Sequence, residues 1–269
     1  LDNSLRIAIL GYVDVLDFKT FDPFLHYRAV ETLKKICLES HSNVARAMAI
    51  RIFVQNAPAE ESVNFVLEEL ESADNRVVAN AIEGLSHLNY PGVVKLLSPY
   101  LKHPVARIRA NTIVALWKYP KARFRVKASI TSMLFSDEMS HRISGTHATG
   151  KVRDDSYQSQ LVKQLDDAPP ALRRVTLIAL VELGNLEYLD AIVELILGSD
   201  EAHARNSCYL AMSLESHLLN EGIVARVYHR GPEAREIASA RFSECGRLCR
   251  RQLDLLAGRT DQLTRRALV

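Results

Sequence analysis

"IRANTIVAL", residues 108–116, decides how the chain is read. Ile108, Thr112, Ile113 and Leu116 fall at helical spacing and share one face. The same nine-residue pattern returns as "ARAMAIRIF" from Ala45, "VVANAIEGL" from Val77, "HRISGTHAT" from His141, "LRRVTLIAL" from Leu172, "ARNSCYLAM" from Ala204 and "AREIASARF" from Ala234. The second positions are Arg46, Val78, Arg109, Arg142, Arg173, Arg205 and Arg235, with successive spacings of 32, 31, 33, 31, 32 and 30. Six of the seven are arginine, so a fixed structural unit is being repeated.

Each segment is followed by turn residues and then by a second amphipathic stretch. "LNYPG" at 88–92, "KYPK" at 118–121 and "LGN" at 183–185 break the first helix. "VVKLLSPYL" from Val93 and "YLDAIVELIL" from Tyr188 then resume helical spacing. Asp74, Asp137 and Asp200 are expected as N-caps, and Pro104 and Pro170 in first helical turns. No alternating strand pattern persists. The expected fold is all-α, an α-solenoid of stacked antiparallel helix pairs running through residues 1–269. An atypical N-terminal unit covers 1–41, regular repeats cover 42–230, and a C-terminal unit and cap cover 231–269.

"IRANTIVALW" and "LRRVTLIALVELG" resemble the HEAT-repeat family, in the bacterial form related to phycobilisome-lyase-like repeats. The resemblance covers about residues 42–245. It implies a right-handed stack whose second helices line a concave surface and is nearly silent on activity; the repeat architecture and the missing catalytic motifs make a non-catalytic interaction scaffold, for a protein partner or another domain of the same polypeptide, the expected function. It also implies that the arginines at 46, 109, 142, 173, 205 and 235 form a structural ladder, each bridging to a carboxylate or turn carbonyl of the adjoining pair. The first pair departs from the pattern: 40 residues separate Arg6 from Arg46, with the extra length around "LDFKTFDPFLHYRAV".

"SGTHATGKVR", residues 144–153, imitates a phosphate-binding loop, yet Val152 stands where Ser or Thr would hold magnesium. The repeat also puts Gly145 and Lys151 within or at the end of a first helix, with no strand before it. A nucleotide site is therefore rejected. Thr146 and Thr149 occupy places held by Ile113 and Leu116 elsewhere, so this helix is either packed closely through small residues or acts as a hinge. Asp137 with His141, and Cys245 with Cys249, are one helical turn apart, and neither pair has the further ligands a metal site needs. Cys37, Cys208, Cys245 and Cys249 read as reduced thiols, which suits the cytoplasm. No hydrolase, zinc-protease or second glycine-rich motif occurs, so no catalysis and no cofactor is expected, with a repeat-type lyase or glycosylase as the alternative.

Charge is informative in its distribution, since 34 Lys and Arg nearly balance 32 Asp and Glu. Residues 84–136 contain no Asp or Glu, but they hold Lys95, Lys102, Arg107, Arg109, Lys118, Lys121, Arg123, Arg125 and Lys127. Residues 60–83 hold Glu60, Glu61, Glu68, Glu69, Glu71, Asp74 and Glu83 against Arg76. Lys95, Lys102, Lys118, Lys121, Arg123, Arg125 and Lys127 are the candidate partner-binding residues. An acidic protein or nucleic acid would be drawn to them, and Trp117, Tyr119 and Phe124 would add stacking surface. The alternative to a scaffold is thus polyanion binding through residues 95–127. On a helical wheel Lys121 and Arg125 lie to one side of the apolar stripe and Arg123 and Lys127 to the other, as charged flanks ordinarily do.

The stretch from Ala225 to Val269 is also basic, and is expected either to cap the stack or to lead into a further domain. The opening "LDNSLRIAIL", without methionine, reads as part of a longer protein. Uncharged apolar runs such as "VTLIALV" reach only about half the twenty residues of a membrane span, so no membrane insertion is expected.

Overall fold

The computed structural model describes residues 3–13, 16, 18–40, 42–88, 92–212 and 217–244, and among these it is helical with no strand. Two compact units divide the chain, residues 1–135 and 136–269. Each is a stack of contacting antiparallel helix pairs, as an α-solenoid requires.

The first unit runs α1 (Asn3–Val13), α2 (Pro23–Glu39), α3 (Asn43–Asn56), α4 (Ala59–Glu69), α5 (Asn75–Ser86), α6 (Val93–Leu97), α7 (Ala106–Trp117) and α8 (Arg123–Leu134). A 3₁₀ segment, Ser98–Lys102, extends α6. The repeated segments form the first helices α3, α5 and α7, which lie side by side; α3 and α5 rest on α4, and α7 rests on α8 and the 3₁₀ segment. Their apolar positions meet in one core, where Ile50, Phe53, Ile82, Leu85, Ile108, Ile113 and Leu116 are fully buried. Each such side chain contributes about 1.5–3 kcal/mol relative to exposure. Close approach demands small residues: a Cβ on Gly84 would stand 2.8 Å from Val54 Cβ.

Polar side chains fix the register between neighbouring first helices. Asn80 Nδ2 donates to the Ala47 carbonyl at 2.7 Å, and Asn111 Nδ2 repeats the bond to Ala79 at 2.8 Å. Arg107 then donates to Asn80 Oδ1 at 2.9 Å. Asp74 caps α5 as expected, its carboxyl held below the usual carboxylate range by the hydrogen bond from Arg76. Pro104 lies outside the first turn of α7, because the helix opens at Ala106 after Val105.

The second unit contains α9 (Met139–Val152), α10 (Gln158–Gln164), α11 (Pro170–Glu182), α12 (Leu189–Leu197), α13 (Glu201–Met212), α14 (His217–His229) and α15 (Pro232–Glu244). Leu177, Val181, Ile192, Ile196, Ile223, Val227 and Phe242 belong to its core. Pro170 opens α11, and the Asp200 carboxylate accepts from the His203 amide at the start of α13. Asp137 does not cap α9: that helix begins one residue later, with Glu138 at the cap position and no side-chain cap bond.

The stretch that imitates a phosphate loop lies within α9, which ends at Arg153 in the left-handed conformation (φ 52°). Gly150 faces α11 so closely that a Cβ would stand 2.9 Å from Ala179 Cα. Thr146, Thr149 and Thr176 are fully buried. Thr149 Oγ1 donates to the Gly145 carbonyl at 2.9 Å, and Gln164 Nε2 donates to both Thr146 and Thr176. Small residues and satisfied hydroxyls thus replace large apolar groups, and the segment is a packed helix. Cys245, Cys249 and the rest of the C-terminal stretch from residue 245 lie outside the described residues, as do the turn residues 89–91. Gly150→Ala should lower the stability of the second unit by about 1–3 kcal/mol through overpacking, measured by urea unfolding. A gain of about 1 kcal/mol, the ordinary helix preference for Ala, would mean an open hinge instead.

Candidate partner-binding surface

Helix α8 carries the densest cluster of the basic residues. Ala122, Val126, Ser129, Ile130 and Met133 turn inward, so the opposite face meets solvent. Phe124, 85% exposed, lies at the middle of that outer face, with Ala128 and Phe135 on the same line. Lys121 and Arg125 flank this line on one side, and Arg123 and Lys127 on the other. The outer face is therefore an aromatic ridge between two basic edges.

Each edge is tied to a neighbouring element. Arg123 donates through Nε to the Trp117 carbonyl at 2.8 Å, and its guanidinium stacks 4.2 Å from the Trp117 ring centroid. Lys127 Nζ lies 6.0 Å from that ring. On the other edge Arg125 reaches Ser98 Oγ at 3.1 Å, which sets α8 beside the 3₁₀ segment. Ser129 Oγ donates to the Leu101 carbonyl at 2.9 Å and tightens the same junction. Lys95 and Lys102 belong to this adjoining second helix and are exposed. Among the described residues, Lys95, Lys102 and Lys121 make no hydrogen bond or ion pair.

Lys118 stands apart from this surface. Its ammonium donates to the carbonyls of Ser86 (2.8 Å) and Leu88 (3.1 Å) at the end of α5, and partial burial pulls its pKa down. Tyr119 is half-buried, its hydroxyl pKa raised by burial, and Trp117 lies beneath Arg123. Of the three aromatic residues singled out in the sequence, Phe124 alone is open to a partner.

The next second helix in the row is acidic. Tyr100 OH donates to the Leu70 carbonyl at 3.4 Å and so places the 3₁₀ segment beside the end of α4. Glu60, Glu68 and Glu71 are exposed on that element, while Glu61 pairs with Lys34. Along the row of second helices the surface therefore changes sign, from α4 through α6 to α8.

The arginines at equivalent sequence positions have different partners. Arg46 Nη2 donates to both carboxylate oxygens of buried Glu69 at 2.8 Å, within its own helix pair. Arg109 also turns to the second helix of its pair, bonding Ser129 Oγ at 2.9 Å. Burial pulls its pKa down. Arg142 lies 4.0 Å from Met139 Sδ, and Arg173 donates to the Leu165 carbonyl of the preceding pair at 3.0 Å. Arg205 is exposed on α13, and Arg235 stacks 4.5 Å from the Tyr228 ring. Asn80 and Asn111 make the bond that repeats between adjoining first helices of the first unit. Their signal was present in the sequence, at the fourth place of "VVANAIEGL" and "IRANTIVAL".

Among the described residues no three or more His, Cys, Asp or Glu side chains group as metal donors. Cys37 and Cys208 are buried thiols in no disulfide, and burial raises the Cys37 pKa. No described helix is long and apolar enough to cross a membrane. Arg46→Met should cost on the order of 2 kcal/mol in urea unfolding, because it strands the Glu69 carboxylate. Arg235→Met, which removes a guanidinium from a half-buried ring contact and strands no carboxylate, should cost less than about 1 kcal/mol. Equal effects at the two positions would contradict this division of roles.

The family model for HEAT repeats matches residues 28–119. No curated protein matches the chain. Proteins of this fold generally mediate protein interactions and are typically non-catalytic. Over residues 28–119 the stacked helix pairs are thus similar to HEAT repeats.

Proposed function

We propose that the chain is a non-catalytic HEAT-repeat scaffold that holds a protein partner, or another domain of the same polypeptide, on its second-helix surface. The observation that carries this reading is the division of labour within each pair. First helices such as α5 and α11 are almost wholly consumed by packing, with Val77 to Ile82 and Val175 to Glu182 buried without a break. Second helices such as α4 and α8 leave a whole face in solvent. A change of sign along that face suits a protein partner, whose own charges can alternate.

A second reading is polyanion binding through residues 95–127, favoured by the absence of acids there and by exposed Phe124. The two readings separate on one set of measurements. Proteins captured on the immobilised chain at physiological salt should remain bound after nuclease treatment and in the presence of heparin. Fluorescence anisotropy of labelled single- and double-stranded nucleic acid should show little binding at that salt. Steeply salt-dependent nucleic-acid binding, abolished in a folded variant carrying Glu at positions 121, 123, 125 and 127, would replace the scaffold reading with the second one.

A further inference from the structure

The outer face of α8 combines three properties that nothing in the packing of the unit requires. Phe124 is 85% exposed, a large apolar area to leave in water at the start of a helix whose inward face is already filled. Phe135, 65% exposed, continues the same line. Cations border it on both sides with no carboxylate between residues 84 and 136. An ordinary solvated helix face mixes both signs and shows few large apolar side chains.

The cations are also held in place. Stacking on Trp117 restrains Arg123, and the bond to Ser98 restrains Arg125, so both edges keep their positions relative to the Phe124 ring. Lys102 and Lys121 add charge that has no internal partner among the described residues. Pre-positioned charge around an apolar anchor is how an interface gains affinity without paying the full cost of ordering its side chains.

On these grounds, and resting on the scaffold reading above, we infer that the face made by Lys102, Lys121, Phe124, Arg125 and Lys127 binds an acidic segment of a partner protein. That segment carries an aromatic or aliphatic side chain that packs on Phe124. Charge complementarity sets the acidic character of the segment, and the exposed ring sets the need for an apolar residue within it. The extent of the basic surface favours a peptide over a nucleic acid. Second helices pack about 8–10 Å apart, so the two basic rows span about 20 Å before the exposed Glu68 and Glu71 of the neighbouring row. A nucleic-acid strand bears a phosphate at every residue and is repelled there, whereas a peptide can change sign.

The test uses the full chain and fluorescein-labelled probes at low and physiological salt. One probe is a short run of glutamates interrupted by a single tryptophan. The second has serine in place of the tryptophan, and the third is an oligothymidylate of matched charge. The tryptophan peptide should bind tightest and weaken with salt. Phe124→Ala, which removes an exposed ring and leaves the core untouched, should weaken that peptide about three- to tenfold and leave the serine peptide unchanged. The double variant Lys121→Glu with Arg125→Glu should weaken both peptides at least about tenfold at low salt. Circular dichroism melts check that both variants fold.

Absence of peptide binding at low salt overturns the inference, as does binding that neither variant alters. Tighter binding of the oligothymidylate, lost in Phe124→Ala, assigns the face to nucleic acid instead. Self-association of the chain in sedimentation, lost in the double variant, assigns it to the acidic row of a second copy. If the peptides fail while heparin-resistant protein capture persists, this face is wrong and the scaffold reading stands. If both fail, both are wrong.

Discussion

A single helix pair has more apolar stripe than its two helices can cover for each other, and this constraint governs the molecule. Helix α5 is the clearest case: it packs on α3 along one side, on α7 along another and on α4 as well. All its residues from Val77 to Ile82 are buried. Coverage on so many sides requires short distances, hence Gly84 against Val54 and the alanines at 45, 47 and 49 of α3. With the first helices consumed in this way, free surface is left mainly on the second helices. The place available for function therefore follows from the way the core is closed.

Helix α9 shows that the same contact can be made with different chemistry. Gly150 brings its backbone against Ala179, and threonines with Gln164 bond where other pairs pack leucine and isoleucine. Lys151 and Glu182 form a largely buried ion pair at 3.1 Å across the same helix contact. Such a pair adds little net stability over an apolar one. Its geometry admits few alternatives, which ties α9 to one alignment on α11.

The periodicity and the helix pairs were legible in the sequence because burial of each first helix repeats at fixed spacing. The basic window was equally visible as a run without acids. Its division was only partly visible: a helical wheel separated Lys121 and Arg125 from Arg123 and Lys127. The loss of Lys118 to the carbonyls of Ser86 and Leu88 could not be read, since it depends on a contact across about thirty residues. The arginine positions were read correctly as a repeat, yet sharing a position did not give them a shared partner. A guanidinium has reach and takes the nearest acceptor, whether Glu69, Ser129 or a carbonyl. Asn80 and Asn111 are short, and each sits against the neighbouring helix, Asn80 buried and Asn111 half-buried, so equivalent positions do give equivalent bonds. Trp117, Tyr119 and Phe124 were read alike as stacking surface; that Phe124 alone is open depends on which face of α8 turns inward and on the cover Arg123 gives Trp117.

Native-state hydrogen exchange, resolved to individual helices, tests the central claim that stability comes from stacking between first helices. The account predicts that amides of α5 in the first unit and α11 in the second exchange slowest. Those of α2 and α10, which pack chiefly on one helix each, α3 and α11, should exchange faster. Should α5 and α11 exchange as fast as α2 and α10, the nearest-neighbour stack would not be what holds the units together, and the account would fail at its base.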